Sequence, residues 1–210
     1  MEYVLFDVET TGLSSHDEII QFAALVFEDS FDSLKGIEDF YCMSTARISA
    51  GAMKVHGITP GKLIKWSDKK FFEDQFRTFY DTLGKDVTWV CYSNTLFDLR
   101  MINQTLKHAN LDELEFGNRV YDFSSTSGTH HLDLMGYVSQ KLRGNARPLK
   151  LQNALKMLDG FDQDEMNAAY VNLNTAVDQI RPVNRELEKM YHNARYDTFA
   201  MWYLLNKLPR

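Results

Sequence analysis

Phe6-Asp7-Val8-Glu9-Thr10-Thr11-Gly12-Leu13 is the stretch around which the rest of this chain is arranged. Side chains alternate along an extended strand, so Leu5, Asp7 and Glu9 share one face while Phe6 and Val8 share the other. Residues 3–8 are therefore expected to form a strand, with Thr10-Thr11-Gly12-Leu13 turning out of it. Two carboxylates on one face of an otherwise apolar strand are costly. At ~4 Å and an effective dielectric of ~20, a like-charge pair repels by roughly 4 kcal/mol. A hard divalent cation removes that cost, because such ions prefer carboxylate oxygens. Taken alone, an Asp-x-Glu pair fits a frayed strand end facing water better than a metal site.

Outward from this strand, residues 18–28 and about 36–44 read as two more strands, completing an up-and-down ribbon. A loop holding Gly51, Gly57, Pro60 and Gly61 follows. Residues 68–83 have helical spacing, with Phe72, Phe76, Phe79, Tyr80 and Leu83 along one stripe that belongs in a core. A short apolar strand at 88–92 leads into a helix at 97–109. Residues 112–130 are irregular and rich in Ser, Thr and Gly. Helices follow at about 132–143, 149–158, 163–179 and 194–207. Strands followed by strands alternating with helices indicate a mixed α/β sheet covered by helices.

The 210 residues, 44% hydrophobic and 25% charged, suit one globular domain with a real core and argue against intrinsic disorder. Cys42 and Cys91 make neither a disulfide framework nor a metal knuckle. The N-terminus lacks a signal-peptide layout, and no run approaches the roughly 18 apolar residues needed to span a bilayer. A soluble, intracellular protein is expected. Its net charge of −6 creates no field that attracts polyanions, so composition alone ranks nucleic acid low among partners.

Two further segments change that ranking. Tyr92-Ser93-Asn94-Thr95-Leu96-Phe97-Asp98 leaves the 88–92 strand and opens a helix, where a lone Asp98 is an ordinary acidic first-turn residue. Tyr191-His192-Asn193-Ala194-Arg195-Tyr196-Asp197 heads the helix at 194–207. Five residues along a continuous helix turn through ~500°, which separates the two ends by ~140°. His192 and Asp197 can reach one site only if the histidine lies in the lead-in loop and the aspartate within the helix.

Together these segments resemble the DEDDh branch of the DEDD (DnaQ-like) superfamily of 3′–5′ exonucleases, which includes polymerase proofreading subunits, exonuclease X and ribonuclease T. Its Asp-x-Glu-Thr-x-Gly motif is met at Asp7, Glu9, Thr10 and Gly12. Its Asn-x-x-Phe-Asp motif is met at Asn94, Phe97 and Asp98, and the histidine five residues before an aspartate at His192 and Asp197. Val55-His56-Gly57-Ile58-Thr59 is similar to the family's His-Gly-Ile segment. Two departures stand out: Ser93 occupies a position often held by histidine, and the interval before the third motif is long. The surplus falls at about 159–185. Tyr196 does not match the sister branch, whose tyrosine stands four residues before the aspartate, where this chain has Asn193.

The resemblance implies an α/β, ribonuclease-H-like fold: a mixed five-stranded sheet with one antiparallel strand and helices on its faces. It implies a single 3′–5′ exonuclease domain over residues 1–210. Asp7, Glu9, Asp98 and Asp197 would hold two divalent ions, Mg²⁺ or Mn²⁺, and His192 would be the general base. Thr10, Thr11 and Leu13 would meet the terminal nucleotide, with Leu13 wedged against its base. Asn94, Phe97 and His56 are further substrate-contact candidates; for Phe97 core packing, and for His56 an ordinary loop role, remain open. The implied reaction releases nucleoside 5′-monophosphates from single-stranded DNA, as in proofreading and DNA repair. Trimming of RNA ends is the alternative, and a catalytically silent binding module a remote one. With no tail after Leu208-Pro209-Arg210, a stand-alone enzyme is favoured over a polymerase subunit.

Other clusters read more plainly. His130-His131-x-Asp133 looks like metal ligands but fits a helix lead-in better. Lys62, Lys65, Lys69 and Lys70 form a solvated helix face or meet phosphates, and Arg143, Arg147 and Lys150 are similar.

Overall fold

The alternation around Asp7 is realised in β1 (Glu2–Thr10), the middle strand of a five-stranded sheet. In a computed structural model, residues 1–208 are described except 85, 94–95, 110–114, 117–118, 121–129, 146 and 181–191. At 115–116, 119–120, 130 and 174–180 only the backbone is described. β2 (Ile19–Glu28) pairs antiparallel with β1, and β3 (Leu34–Tyr41) antiparallel with β2. α1 (Ala50–His56), α2 (Pro60–Trp66) and α3 (Phe72–Tyr80) precede β4 (Val87–Cys91), which runs parallel to β1.

α4 (Phe97–His108) is followed by a two-stranded ribbon of β5 (Glu115–Phe116) and β6 (Arg119–Val120). β7 (His130–Asp133) then adds in parallel to β4. α5 (Leu134–Arg143), α6 (Leu151–Lys156), α7 (Gln163–Ile180) and α8 (Ala194–Lys207) complete the order. The main sheet reads β3-β2-β1-β4-β7, so β2 alone opposes the other strands.

Both faces of the sheet are covered, which explains why β2 is buried from Ile19 to Phe27. On one face Val4, Phe6, Phe22 and Trp89 pack under α3 and α4. Phe22 is the hub, with ring centroids 5.3 Å from Phe40, 5.5 Å from Phe76 and 5.4 Å from Phe79. Each such pair contributes about 0.5–1.5 kcal/mol beyond its area. The aromatic stripe of α3 is thus core, as its period implies. On the other face Leu5, Leu25 and Val90 meet α5, α6, α7 and α8 through Leu155, Phe199, Met201 and Leu204.

Three segments depart from the sequence reading. The glycine- and proline-bearing stretch after β3 is not a loop but two short helices, in which those residues sit at the ends. Gly57 caps α1 at φ 75°, and Pro60 occupies the first turn of α2 behind the Thr59 cap. α3 begins later than expected because Asp68 and Lys69 have φ of 50° and 58°. The His130–Asp133 segment forms an edge strand, and Asp133 then caps α5 by accepting from Met135 N–H at 3.0 Å. Most of the surplus around 159–185 is α7, whose Met166 and Tyr170 are buried on α8; residues 181–185 lie outside the described ones.

Candidate active site

β1 pairs with β4 only as far as Leu5–Val90, so the last five residues of β1 border an open crevice at the strand ends. Asp7 and Glu9 stand there on the α8 face, opposite Ala23 and Gln21 of β2. Asp197 enters from the first turn of α8. One oxygen each of Asp7, Glu9 and Asp197 can be chosen so that all lie within 4.8 Å of one another.

Asp98 comes from the first turn of α4 and is buried. Leu96, at φ 51°, makes the sharp turn that starts this helix. The Asp98 carboxylate is felt electrostatically by both Asp7 and Asp197. The chain thus brings all four predicted acids to one place from three elements.

His192 lies where the helical geometry requires, in the lead-in and outside the helix, at φ 59°. Its backbone N–H donates to Asp197 Oδ2 at 2.9 Å, while its side chain is exposed. The following Asn193 caps α8 by accepting from Tyr196 N–H. Tyr196 points away: its hydroxyl bonds Asn167 Oδ1 at 2.8 Å and accepts from Gln163 Nε2 at 2.9 Å, both on α7. It is not a site residue.

The acids repel their own ionisation. Burial, then the charges of Asp98, Asp197 and Glu9, raise Asp7 well above the usual carboxylate range. Burial pushes Asp98 up to about 7, against hydrogen bonds from its own N–H and that of Val8, with Asp133 adding to the rise. Burial likewise pushes Asp197 up to about 7, opposed by the His192 N–H and reinforced by Asp98. Such a cluster is poorly satisfied by the protein alone. Four carboxylates gathered in one place, with the proton affinity of Asp7, Asp98 and Asp197 raised, fit a divalent cation.

The turn after β1 is built around Asp17. Thr11 Oγ1 donates to Asp17 Oδ1 at 2.7 Å, and Ser14 N–H to Oδ2 at 2.7 Å. A Cβ on Gly12 would meet Asp17 Oδ2 at 2.6 Å, which explains the glycine. Thr10 is buried and donates to Gly12 O at 2.7 Å. Leu13, by contrast, is 76% exposed, leaving an aliphatic side chain free beside the crevice.

His56 is buried, with Nδ1 accepting from Ile58 N–H at 2.9 Å and Nε2 3.2 Å from Thr10 O. An accepting Nδ1 leaves Nε2–H as the donor, so the ring braces the Thr10 carbonyl. Phe97 is partly buried against the α3–α4 core, with the Arg100 guanidinium 5.3 Å from its ring centre. Asn94 lies outside the described residues.

Two supports escaped the sequence reading. Gln21, fully buried in an apolar strand, accepts from Ala194 N–H at 3.2 Å and donates to Asn193 Oδ1 at 3.4 Å. It fixes the start of α8 directly across from Glu9. A polar residue inside Ile19-Ile20-Gln21-Phe22 was the available signal. Asp133 accepts from Ser93 N–H at 3.1 Å while capping α5, and so ties the segment leading to Asp98. Ser93 Oγ in turn accepts from Phe97 N–H at 3.0 Å.

A profile of the RNase_T exonuclease family matches residues 4–205. The chain is 33% identical over 117 residues to DNA polymerase III PolC-type of Bacillus cereus, covering 53% of this chain and 7% of that protein. Against the Bacillus subtilis protein of the same description it is 31% identical over 134 residues, covering 57% and 8%. The chain therefore spans less than a tenth of these curated relatives. Among solved structures, E. coli exonuclease I in complex with a dA16 oligonucleotide superposes with a TM-score of 0.65 at 20% identity, covering 99% of this chain and 41% of that one. The zinc-bound E. coli exonuclease I–single-stranded DNA complex gives 0.64 at 19%, covering 98% and 40%. This likeness establishes the ribonuclease-H-like fold: a mixed five-stranded sheet with helices on both sides.

Proposed function

The chain belongs to the exonuclease family, of the DEDD-type 3′–5′ superfamily, and on that premise we propose that it removes nucleoside 5′-monophosphates one at a time from the 3′ end of single-stranded DNA. The observation that carries this reading is the convergence of Asp7, Glu9 and Asp197 within 4.8 Å, with Asp98 buried beside them. Asp7, Glu9, Asp98 and Asp197 hold two Mg²⁺ or Mn²⁺ ions. When bound, these ions lower the pKa of the attacking water and stabilise charge on the leaving 3′ oxygen.

The remaining work falls to the protein's own groups. His192, whose side chain is exposed, accepts the water's proton at its imidazole. Asp197 orients that residue through the His192 N–H, so a ligand and the base are set by one hydrogen bond. Gln21 and Asn193 hold the start of α8 in register. The Thr10–Leu13 turn receives the terminal nucleotide, with exposed Leu13 against its base. His56 keeps the Thr10 carbonyl in place from behind.

DNA is favoured over RNA because the relatives include DNA polymerases and the superposed exonuclease I structures hold DNA oligonucleotides. Residues 1–210 then act as one domain, with α7 buttressing α8. The deciding experiment offers 5′-labelled single-stranded DNA and RNA of one sequence with Mg²⁺, Mn²⁺ or EDTA. Stepwise shortening of DNA with metal and none with EDTA is expected. Intact strands under every metal condition would sink the reading, and faster RNA shortening would move the substrate to RNA.

A further inference from the structure

The acidic cluster that holds metal cannot by itself attract a phosphate strand, and the chain as a whole carries −6. Affinity for a nucleic acid must therefore come from a local departure from the average charge. Residues 40–67 are such a departure. They contain Arg47, Lys54, Lys62 and Lys65 and no Asp or Glu, although 29 acids in 210 residues would place about four in a stretch of 28. The segment carries +4, leaving −6 − 4 = −10 for the rest.

Its position matters as much as its charge. Ser49 N–H, at the head of α1, donates to Thr11 O at 2.8 Å. His56, at the foot of the same helix, reaches Thr10 O at 3.2 Å. A seven-residue helix is only ~10 Å long, so both ends of α1 are fastened to the turn that leaves β1. Lys54 is exposed on that helix, and Lys65 on α2 immediately after it. Among the described residues Arg47, Lys54 and Lys65 have no acidic partner within salt-bridge distance.

Apolar side chains lie among these cations without cover. Val55 is 45% exposed and Ile64 56%, and Leu13 stands on the adjoining turn. Ile48, Ile58 and Leu63 face inward beneath them against Ile20 and Tyr41, so the module is anchored by its own small core. Lys62 lies 5.4 Å from the centre of the Trp66 ring, which keeps that ammonium on the same helix surface. Arg47, Lys54 and Lys65, interleaved with exposed aliphatic groups, suit a single strand: the cations meet phosphates and the aliphatic groups meet base faces.

We propose that the acid-free segment 40–67, with Lys54 and Lys65 as its principal contacts, is the surface that receives the single strand behind its reacting 3′ end. This rests on the exonuclease reading and adds to it the course of the strand. Metal and the Thr10–Leu13 turn hold the terminal nucleotide, and α1 and α2 hold the nucleotides that follow. Longer strands therefore bind better than short ones until the segment is spanned.

The test uses the full chain and fluorescein-labelled oligo-dT of 4 to 20 nucleotides, with binding followed by anisotropy in Ca²⁺ and turnover in Mg²⁺. The Lys54→Glu/Lys65→Glu double variant should weaken 20-mer binding at least ~10-fold and the 4-mer much less. Its slope of log affinity against log salt should fall by about 1.4, from ~0.7 per lost single-strand phosphate contact. Lys54→Gln/Lys65→Gln should lower the slope similarly with a smaller loss of affinity, and circular dichroism checks that both fold. Unchanged length dependence and slope would overturn the proposal. So would a loss seen only in Arg147→Glu/Lys150→Glu, or a wild type that binds no 20-mer. If the wild type binds strands but shortens none with Mg²⁺, it is the exonuclease reading that fails.

Discussion

Two buried carboxylates, one just before β2 and one on the helix that follows β4, meet opposite fates. Glu18, just before β2, is as buried as Asp98 on α4. Burial alone would raise Glu18, but Ser44 Oγ at 2.6 Å, the Thr45 hydroxyl and N–H, and the Ala46 N–H outweigh it and hold it below its ordinary value. Asp98 has fewer donors and more acidic neighbours, and its affinity for a proton rises to about 7. A carboxylate saturated by its own chain fastens structure. One left short of donors is ready for a cation. Both are buried; the supply of N–H and O–H donors and the number of acidic neighbours separate them.

The comparison breaks first at Asp98. Asp98→Asn should cut turnover by about 10³-fold or more, since ligands of one site act as a unit. Thermal stability of the metal-free protein should hold or rise, because a repelling charge is gone. A fall in midpoint of several degrees would show that the cluster is structural after all. His192→Ala should cost about 10²–10⁴-fold in kcat and little stability. The backbone N–H that Asp197 accepts survives the change. Cation affinity measured by calorimetry should therefore stay close to wild type, and near-normal kcat would assign the proton to another group.

At Glu18 the expectation reverses. Glu18→Ala should destabilise the fold by about 1–3 kcal/mol in urea, the cost of leaving buried donors unpaired, while site acids keep their ligand role. The pH dependence separates the two classes further. Glu18 has a lowered folded pKa, so its contribution is present above its unfolded value near 4.5 and is lost as pH falls through the folded one. Asp98 and Asp197 are raised from 3.8 to about 7. Between those values the folded state binds more protons, so the metal-free protein loses stability as pH rises. Added Mg²⁺ should recover it, by a larger midpoint shift at pH 8 than at pH 5.5, because fewer protons then compete for the oxygens. A shift independent of pH would mean the ion binds elsewhere.

Much of this was legible in the residues themselves. Alternation placed Asp7 and Glu9 on one face, and the family resemblance paired His192 with Asp197, which helical rotation then required to stand outside and inside the helix respectively. Glu18 and Gln21 were not legible in that way. Their partners, Ser44 to Ala46 and Asn193 to Ala194, are brought near by folding rather than by spacing. α1 and α2 were missed because Gly51, Gly57, Pro60 and Gly61 are loop-formers by composition, yet here they occupy helix ends, where their backbone preferences are an advantage. β7 was missed because four edge residues carry too little period to read.

The bond between Gln21 and Asn193 joins residues 172 positions apart. It has a consequence for the order of folding. Asp7 and Glu9 can be set early, when β1 and β2 form their ribbon with a short connection, but Asp197 reaches them only after α8 closes a loop through nearly the whole chain. Entropy favours closing the short loop first. The sheet therefore exists before the site does, and cation affinity should arise in the slowest phase of refolding, as a marker of completed assembly.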